Sequence, residues 1–179
     1  MKKFKDIHKG QRAFIVATGP SLNETDCTKL KGEILFGLNR AYKKKDIKLT
    51  YIVTVSPHVD RHYGQEILNY PYKAVFSSTL PVGKKSFRLR WSPDVPRFTG
   101  DPTGKMWQGH TVTYPTIQLA YYMGITELYL IGLDHHFEYT RDKFNRHKKA
   151  LVSSKGEDVN HFIPVILKRD MNMLEPNPI

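Results

Sequence analysis

The sequence predicts an α/β protein with an open, mainly parallel sheet and helices on both faces. Three apolar segments of strand length each end in a small or polar residue: 13–17 runs into Thr-Gly-Pro-Ser, 34–38 ends in Asn39, and 128–133 ends in Asp134. Continuous apolar runs are typical of strands that are buried on both faces of a parallel sheet. Ligands of such sheets bind at the carboxyl ends of the strands, so the pattern also predicts a nucleotide site there.

Length and composition indicate one folded domain. The chain has 179 residues, of which 40% are hydrophobic and 12% aromatic, enough for a hydrophobic core and too many for general disorder. We therefore expect a single nucleotide-binding α/β domain over residues 1–179.

The net charge of +11 makes an anionic partner easy to bind. Nucleic acid, an anionic membrane surface and a phosphorylated small molecule all fit this charge. The basic residues are scattered, and no long basic run or RNA-binding signature is present. A basic surface that is simply solvated is the alternative.

Cys27 is the single cysteine, which excludes an internal disulfide and a cysteine-cluster metal site. The basic N-terminus has no apolar segment behind it, so it is not a secretory signal. No apolar run approaches the roughly 18 residues of a membrane span. These features predict a reducing, cytoplasmic location.

Strands are predicted where β-branched and aromatic residues are dense and turn residues follow. The predicted strands span 12–18, 33–38, 50–55, 73–77, 86–91 and 127–133. Helical segments are predicted at 25–31, 41–46, 62–70, 113–123 and within 140–152.

The helix over 113–123 shows the clearest periodicity. Its apolar spacing predicts that Ile117, Ala120 and Tyr121 share one face, and Gly124 is suited to close the helix.

Residues 79–108 contain many prolines and glycines and predict a long irregular loop or lid with one strand. The C-terminal segment 140–179 lacks the final helix that such a sheet usually has. Two alternatives stay open for it: a fragment of a longer chain, or closure against a partner.

The turn after the first strand carries Gly19, Pro20 and Ser21. Gly19 allows close approach of the backbone to a ligand, and Ser21 adds a hydroxyl. The turn is neither a Walker loop nor a GxGxxG motif, and an ordinary proline turn is the alternative. Asn39 offers both a donor and an acceptor. Asp134 is suited to accept a ribose hydroxyl, to hold Mg²⁺, or to cap the next helix.

Histidines supply the candidate chemistry. His135 and His136 follow the last apolar strand, and His161 lies beyond a loop. A histidine can act as a general base near neutral pH, although each of these also fits a surface or packed imidazole. Zinc is disfavoured because no third ligand is evident.

Four segments taken together resemble a known family: KGQRAFIVATGPSLNETDCTKLKG, ILFGLNRAY, TIQLAYYMGITELYLIGLDHHF and NHFIP. In order and spacing they resemble the domain once called DUF115, whose superfamily includes archaeal 6-hydroxymethylpterin pyrophosphokinase-like (MptE-like) proteins and phage or bacterial proteins of unknown role. The layout is also similar to bacterial sialyltransferases of glycosyltransferase family 42. The resemblance covers about residues 12–164.

The sialyltransferase resemblance implies a Rossmann-like fold, a CMP-sugar donor and roles for particular residues. Gly19, Pro20 and Ser21 match the turn that lies against the nucleotide, and Asn39 matches a donor contact. The other matches are Thr111 at the opening of the long helix, Asp134 at the end of the last strand, His136 at a position near the phosphate, and His161 at the first histidine of a motif like SHYIGHS. The second histidine of that motif is absent here.

Three functions follow from these observations. The first is a glycosyltransferase-like enzyme that binds a nucleotide-sugar and an acceptor glycan, with His161 as the general base and no metal requirement. The second is an ATP-dependent pyrophosphokinase in which Asp134 holds Mg²⁺. The third is a non-catalytic module that binds a nucleotide or nucleic acid. An anionic membrane surface and a second copy of the chain are further candidate partners.

Overall fold

The structure is a computed structural model that describes residues 1–134, 150–152, 162–163 and 172–174. In chain order the strands are β1 (Arg12–Val16), β2 (Ile34–Leu38), β3 (Tyr51–Thr54), β4 (Ala74–Ser77), β5 (Ser86–Arg88), β6 (Arg90–Trp91), β7 (Lys105–Met106), β8 (Glu127–Ile131), β9 (Ala150–Val152) and β10 (Asn172–Leu174). The α-helices are α1 (Pro57–Asn69) and α2 (Thr113–Tyr122). Four short 3₁₀ helices cover Lys2–Phe4, Pro20–Asn23, Cys27–Leu30 and Ala41–Lys43.

Six strands form the main sheet in the order β5-β4-β3-β2-β1-β8. Every neighbouring pair in this sheet is parallel. The chain leaves β1 toward β2 on one side, while β8 lies on the other side of β1. The strand order therefore reverses between β1 and β8, and such a switch point is where open α/β sheets bind ligands. The prediction of an open parallel sheet is confirmed.

The two helices cover opposite faces of this sheet. Successive side chains of a strand point to opposite faces. Ile15 of β1 shares one hydrophobic cluster with Leu119 of α2, whereas the next residue, Val16, shares a second cluster with Ile67 of α1. Both faces of β1 are therefore buried, as its continuous apolar run predicts, whereas Tyr129 and Leu130 of β8 are 45% and 46% exposed.

Helix α1 begins five residues earlier than the predicted start at residue 62. The Ser56 hydroxyl accepts a hydrogen bond from the Val59 N–H at 3.4 Å, and Pro57 occupies the first helical position. Serine followed by proline is a recognised start signal for a helix, because the cap satisfies a free N–H and proline needs none.

The single strand predicted over 86–91 is wrong. The chain divides at Leu89 into β5, which joins the main sheet, and β6, which pairs with β7 in a separate parallel ladder. The Leu89 N–H donates to the Ser77 carbonyl at 2.7 Å, and the Leu89 side chain is buried. The segment 79–108 is therefore not irregular throughout.

Helix α2 has the predicted position, and two of the three residues predicted to share one face, Ile117 and Ala120, pack in the core. Tyr121 is 60% exposed, whereas Leu119, Ala120 and Met123 are buried. Gly124 follows with φ of +84°, the left-handed conformation predicted for a helix end. The helix predicted within 140–152 does not include 150–152, which form β9; the rest of that range lies outside the described residues. In the described part of the chain, every helix is too short or too polar to cross a membrane.

Candidate functional site

The turn after β1 stays bonded to the chain that leaves β8. The Ala17 N–H donates to the Ile131 carbonyl at 2.9 Å, and the Gly19 N–H donates to the Gly132 carbonyl at 2.8 Å. These bonds continue the parallel pairing of β1 and β8 beyond the last strand residues. The switch point of the sheet is therefore lined by backbone of fixed position.

Asp134 holds the turn through Ser21. Its carboxylate accepts one hydrogen bond from the Ser21 N–H at 3.0 Å and another from the Ser21 hydroxyl. A carboxylate has about four lone-pair sites, so two of them can still accept from a ligand. The structure thus brings together Ser21 and Asp134, which are separated by 113 residues in the sequence.

Gly19 is required by this packing. A Cβ at residue 19 would lie 2.7 Å from the Asp134 Cγ and 2.8 Å from the Gly132 carbonyl oxygen, closer than real Cβ atoms approach other atoms. The sequence analysis assigned this glycine to close approach of a ligand, whereas the described contact is with Asp134. Pro20 is exposed and begins the 3₁₀ turn that carries Ser21.

Asn39 ends β2 in a left-handed conformation with φ of +50°, which asparagine tolerates better than most residues. Its N–H donates to the Val53 carbonyl at 2.9 Å, so β3 fixes its backbone. The side-chain Oδ1 is buried and has no hydrogen-bond partner among the described residues. A buried acceptor without a donor costs about 1–3 kcal/mol, so each such atom calls for an explanation.

Residues 162–163 dock against the same edge of the sheet. The Phe162 N–H donates to the Thr18 carbonyl at 2.9 Å, and its carbonyl accepts from the Asn23 side chain at 3.1 Å. Arg40, which is 4% exposed, donates to the Ile163 carbonyl at 2.7 Å. Sequence reasoning missed Arg40 and this docking, since no spacing pattern links residues that are 123 positions apart.

Thr111 lies just before α2, the long helix at whose opening the resemblance places it. Its hydroxyl oxygen accepts from the Thr113 N–H at 3.3 Å, and this is the local bond of a helix start. The structure therefore does not join Thr111 to the contact between Ser21 and Asp134. His135, His136 and His161 lie outside the described residues.

The amino end of α1 adds positive charge at this edge of the sheet. The guanidinium of Arg40 lies 5.1 Å from the centre of the Tyr63 ring. The imidazoles of His58 and His62 have ring centres 4.4 Å apart. Burial lowers the pKa of His58, and the charges of His62, Arg61 and Arg40 lower it further. His58 is therefore neutral at physiological pH, while the arginines keep the potential positive.

The described ranges hold no group of three or more His, Cys, Asp or Glu side chains that could bind a metal ion. Asp134 is the acidic side chain that bonds to the turn at the switch point, and its oxygens are of the type that Mg²⁺ prefers.

Comparison with known proteins identifies the family of the chain. No curated protein and no solved structure matches the chain. A family model described as 6-hydroxymethylpterin diphosphokinase MptE-like matches residues 1–140, which include the turn after β1, Asn39 and Asp134. The likeness to sialyltransferases stays a prediction. Since the match covers more than half of the 179 residues, the chain belongs to the 6-hydroxymethylpterin diphosphokinase MptE-like family.

Proposed function

We propose that this chain is a nucleotide-dependent transferase that binds its nucleotide across the ends of β1, β2 and β8. The donor in this proposal is a nucleotide-sugar of the CMP-sugar type, and the acceptor is a glycan hydroxyl. Support comes from the switch point of the sheet, where the fixed turn at Gly19 and Ser21 meets Asp134.

The Asn39 Oδ1, which has no hydrogen-bond partner in the described part of the chain, carries the proposal. It is an acceptor, so the group that satisfies it must donate an N–H or an O–H. An exocyclic amine of a base and a ribose hydroxyl are both such donors. The remaining lone pairs of Asp134 can also accept from a donor, and this combination favours a nucleoside over a bare phosphate at these two residues.

His161 is our proposed general base. It is bonded covalently to Phe162, whose N–H donates to the Thr18 carbonyl beside the turn. In the proposed reaction the acceptor oxygen forms a bond to the anomeric carbon, the bond from that carbon to the phosphate oxygen breaks, and His161 takes the acceptor's proton. The nucleotide leaves as an anion, and Arg40 and His136 are placed in this proposal to offset its charge.

Diphosphate transfer from ATP is the second candidate, and the family match is the observation that favours it. The acceptor is again a hydroxyl, and the same base serves. The acceptor oxygen attacks the β-phosphorus of ATP, the bond from that phosphorus to the α–β bridging oxygen breaks, and AMP leaves. Asp134 would hold Mg²⁺ against the phosphates. Both candidates place the reaction in the cytoplasm, which is a prediction from the sequence.

Thermal unfolding with CMP, UDP, GDP and ATP, each with and without Mg²⁺, separates the two candidates. Stabilisation by CMP without metal supports the nucleotide-sugar donor. Stabilisation by ATP alone, and only with Mg²⁺, rejects that donor in favour of diphosphate transfer. Asn39→Ala should weaken binding of the stabilising nucleotide about tenfold, as expected for one lost buried hydrogen bond. Asn69→Ala, an exposed asparagine at the end of α1, is the matched control and should bind normally.

His161→Ala tests the chemistry separately from binding. We expect turnover to fall by about 10²–10⁴-fold while the nucleotide-induced shift in the melting temperature persists. His110→Ala removes an exposed histidine and should leave turnover unchanged. Equal turnover in the His161 variant and the wild type would remove His161 from the mechanism.

A further inference from the structure

Four aromatic rings from α2 and the loop before it form a continuous row. Trp107 meets Tyr114 at 5.4 Å between ring centres, Tyr114 meets Phe98 at 6.5 Å, and Phe98 meets Tyr121 at 5.4 Å. We call Phe98, Trp107, Tyr114 and Tyr121 the aromatic ridge. Phe98 is 43% exposed and Tyr121 is 60% exposed. Large rings left open to water in a continuous patch mark a binding surface more often than scattered ones do.

The ridge is held in place from inside the protein. Gln118 is fully buried, and its amide donates to the Trp107 carbonyl at 3.1 Å and accepts from the Thr99 N–H at 3.0 Å. These two bonds fix the loop residues on either side of the ridge to α2. A ring held in position loses little conformational entropy when a ligand stacks on it, so this arrangement favours binding.

Cations accompany the ridge. The Arg97 guanidinium lies 5.8 Å from the centre of the Trp107 ring. The N-terminal segment is bonded to the end of α2, with the Asp6 N–H donating to the Tyr122 carbonyl at 3.1 Å. Lys5 directly precedes Asp6 in this segment, and the charges of Lys5 and Lys2 lower the pKa of Asp101, which hydrogen bonds from Thr103 lower most. The local charge thus agrees in sign with the net charge of +11.

We propose that the aromatic ridge, with Arg97, Lys2 and Lys5, is a binding surface for single-stranded nucleic acid. Stacking on exposed rings together with a basic surround is the physical basis of sequence-tolerant single-strand binding, because every base has a π-face and every linkage carries a charge. The ridge offers several rings in a row, which suits a chain of bases better than one small ligand. This inference does not depend on the proposed function.

Fluorescence anisotropy of a labelled 12-nucleotide oligothymidine tests the proposal. At low salt we expect the wild type to bind, and Phe98→Ala with Tyr121→Ala to bind at least about tenfold more weakly. Tyr129→Ala removes a tyrosine of similar exposure on β8 and should bind normally. Equal binding by the ridge variant and the wild type, or no binding by the wild type, would overturn the proposal.

The charges are tested by a matched pair of double variants. Lys2→Ser with Lys5→Ser should reduce the slope of log K against log salt by about 1–2, because each phosphate contact releases counterions. Lys84→Ser with Lys85→Ser removes the same charge from the loop before β5 and should leave the slope unchanged. Equal slopes in the two variants would reject the lysines, and with them this surface.

Three further measurements identify the ligand class and the site. Trp91→Phe leaves Trp107 as the remaining tryptophan of two, and oligothymidine should quench its fluorescence. Binding to vesicles with anionic lipid but not to oligothymidine would reject nucleic acid in favour of a membrane surface. Asn39→Ala should bind the oligonucleotide normally, so that failure at the nucleotide site and failure at the ridge can be distinguished.

Discussion

At Gly19 the absence of a side chain decides whether the turn after β1 can pack on Asp134. Gly19→Ala places a methyl group against the Asp134 carboxylate and 2.8 Å from the Gly132 carbonyl oxygen. Neither group moves away easily, because the carboxylate is hydrogen-bonded and the carbonyl belongs to the backbone. We expect a loss of about 1–3 kcal/mol in the free energy of unfolding, as for other overpacked sites. Urea denaturation measures this loss.

Gly83→Ala is the control for Gly19. A Cβ at residue 83 meets nothing within 4 Å. Alanine there restricts the unfolded chain and should leave stability unchanged or raise it by up to about 1 kcal/mol. If both variants unfold at the same urea concentration, the close packing at Gly19 does not contribute to stability.

Residues at strand ends were predictable and their partners were not. The rule that parallel strands present their last residues at one edge predicted Gly19, Asn39 and Asp134 as neighbours of a site. The bond from Ser21 to Asp134 and the unpaired Asn39 Oδ1 depend on tertiary geometry that no spacing contains. The same is true of Arg40, which reaches a carbonyl 123 residues away.

Asp60 joins three elements of the fold. It lies in the first turn of α1, is 8% exposed, and accepts hydrogen bonds from Thr54 at the end of β3 at 2.8 Å and from Ser77 at the end of β4 at 2.6 Å. Thr79 donates to the same carboxylate. Asp60→Ala leaves these buried hydroxyls without their acceptor, and we expect a loss of about 2–4 kcal/mol in the free energy of unfolding.

Asp46→Ala is the comparison for Asp60. Asp46 forms an ion pair with Lys44 at 3.1 Å near the surface, so its loss should cost at most about 1 kcal/mol. Asp60→Asn keeps an acceptor oxygen and should fall between wild type and alanine. A similar loss in the Asp46 and Asp60 alanine variants would contradict a joining role for Asp60.

Gln118 ties the loop before α2 to the helix. Gln118→Leu keeps the apolar volume but removes both the acceptor for Thr99 and the donor for Trp107. We expect faster hydrogen exchange of the Thr99 amide, by about tenfold or more, because the loop can then open locally. Mass spectrometry of a peptide that contains Thr99 reports this rate.

Gln65→Leu, an exposed position on α1, should leave that exchange rate unchanged. Unchanged exchange in Gln118→Leu as well would show that the loop is held by other contacts.

The regular strands were predictable within one or two residues, whereas the connections were not. β1 to β4 and β8 are dense in β-branched and aromatic residues, so local composition determines them. β6 and β7 have two residues each and exist because their backbones pair across the loop. Tyr121, predicted on the apolar face of α2, is 60% exposed, and its ring contacts Phe98 of that loop at 5.4 Å between centres.

For the molecule as a whole, pH dependence should originate at His8. This residue is 8% exposed, its Nδ1 lies 2.9 Å from the Gln11 Oε1, and its Nε2 lies 2.7 Å from the Tyr51 hydroxyl. Burial lowers the pKa of His8, and it raises the pKa of Tyr51 to about 12. Tyr51 therefore keeps its proton and can donate it to a neutral imidazole.

The sign of the effect follows from proton uptake. A histidine in the unfolded chain binds a proton below its ordinary pKa of about 6.5, while the folded His8 binds one only at lower pH. Between these values the unfolded state holds more protons, so stability falls as pH decreases. We expect the free energy of unfolding to be constant from pH 8 to about 7 and to decline below about 6.5, with each unit of pKa separation worth about 1.4 kcal/mol.

Urea unfolding of wild type and His8→Gln between pH 8 and 5.5 measures this contribution. The variant cannot titrate at residue 8, so its decline over this range should be shallower. His58→Gln is the comparison. Burial also lowers the pKa of His58, but this side chain is less buried than that of His8. Carboxylates with a lowered pKa, such as those of Glu33 and Glu66, titrate below this pH range and so do not contribute to the decline in stability. Parallel curves of unfolding free energy against pH for wild type and His8→Gln would place the pH dependence at another group. Only a group whose proton affinity differs between the folded and unfolded states can change the slope of such a curve.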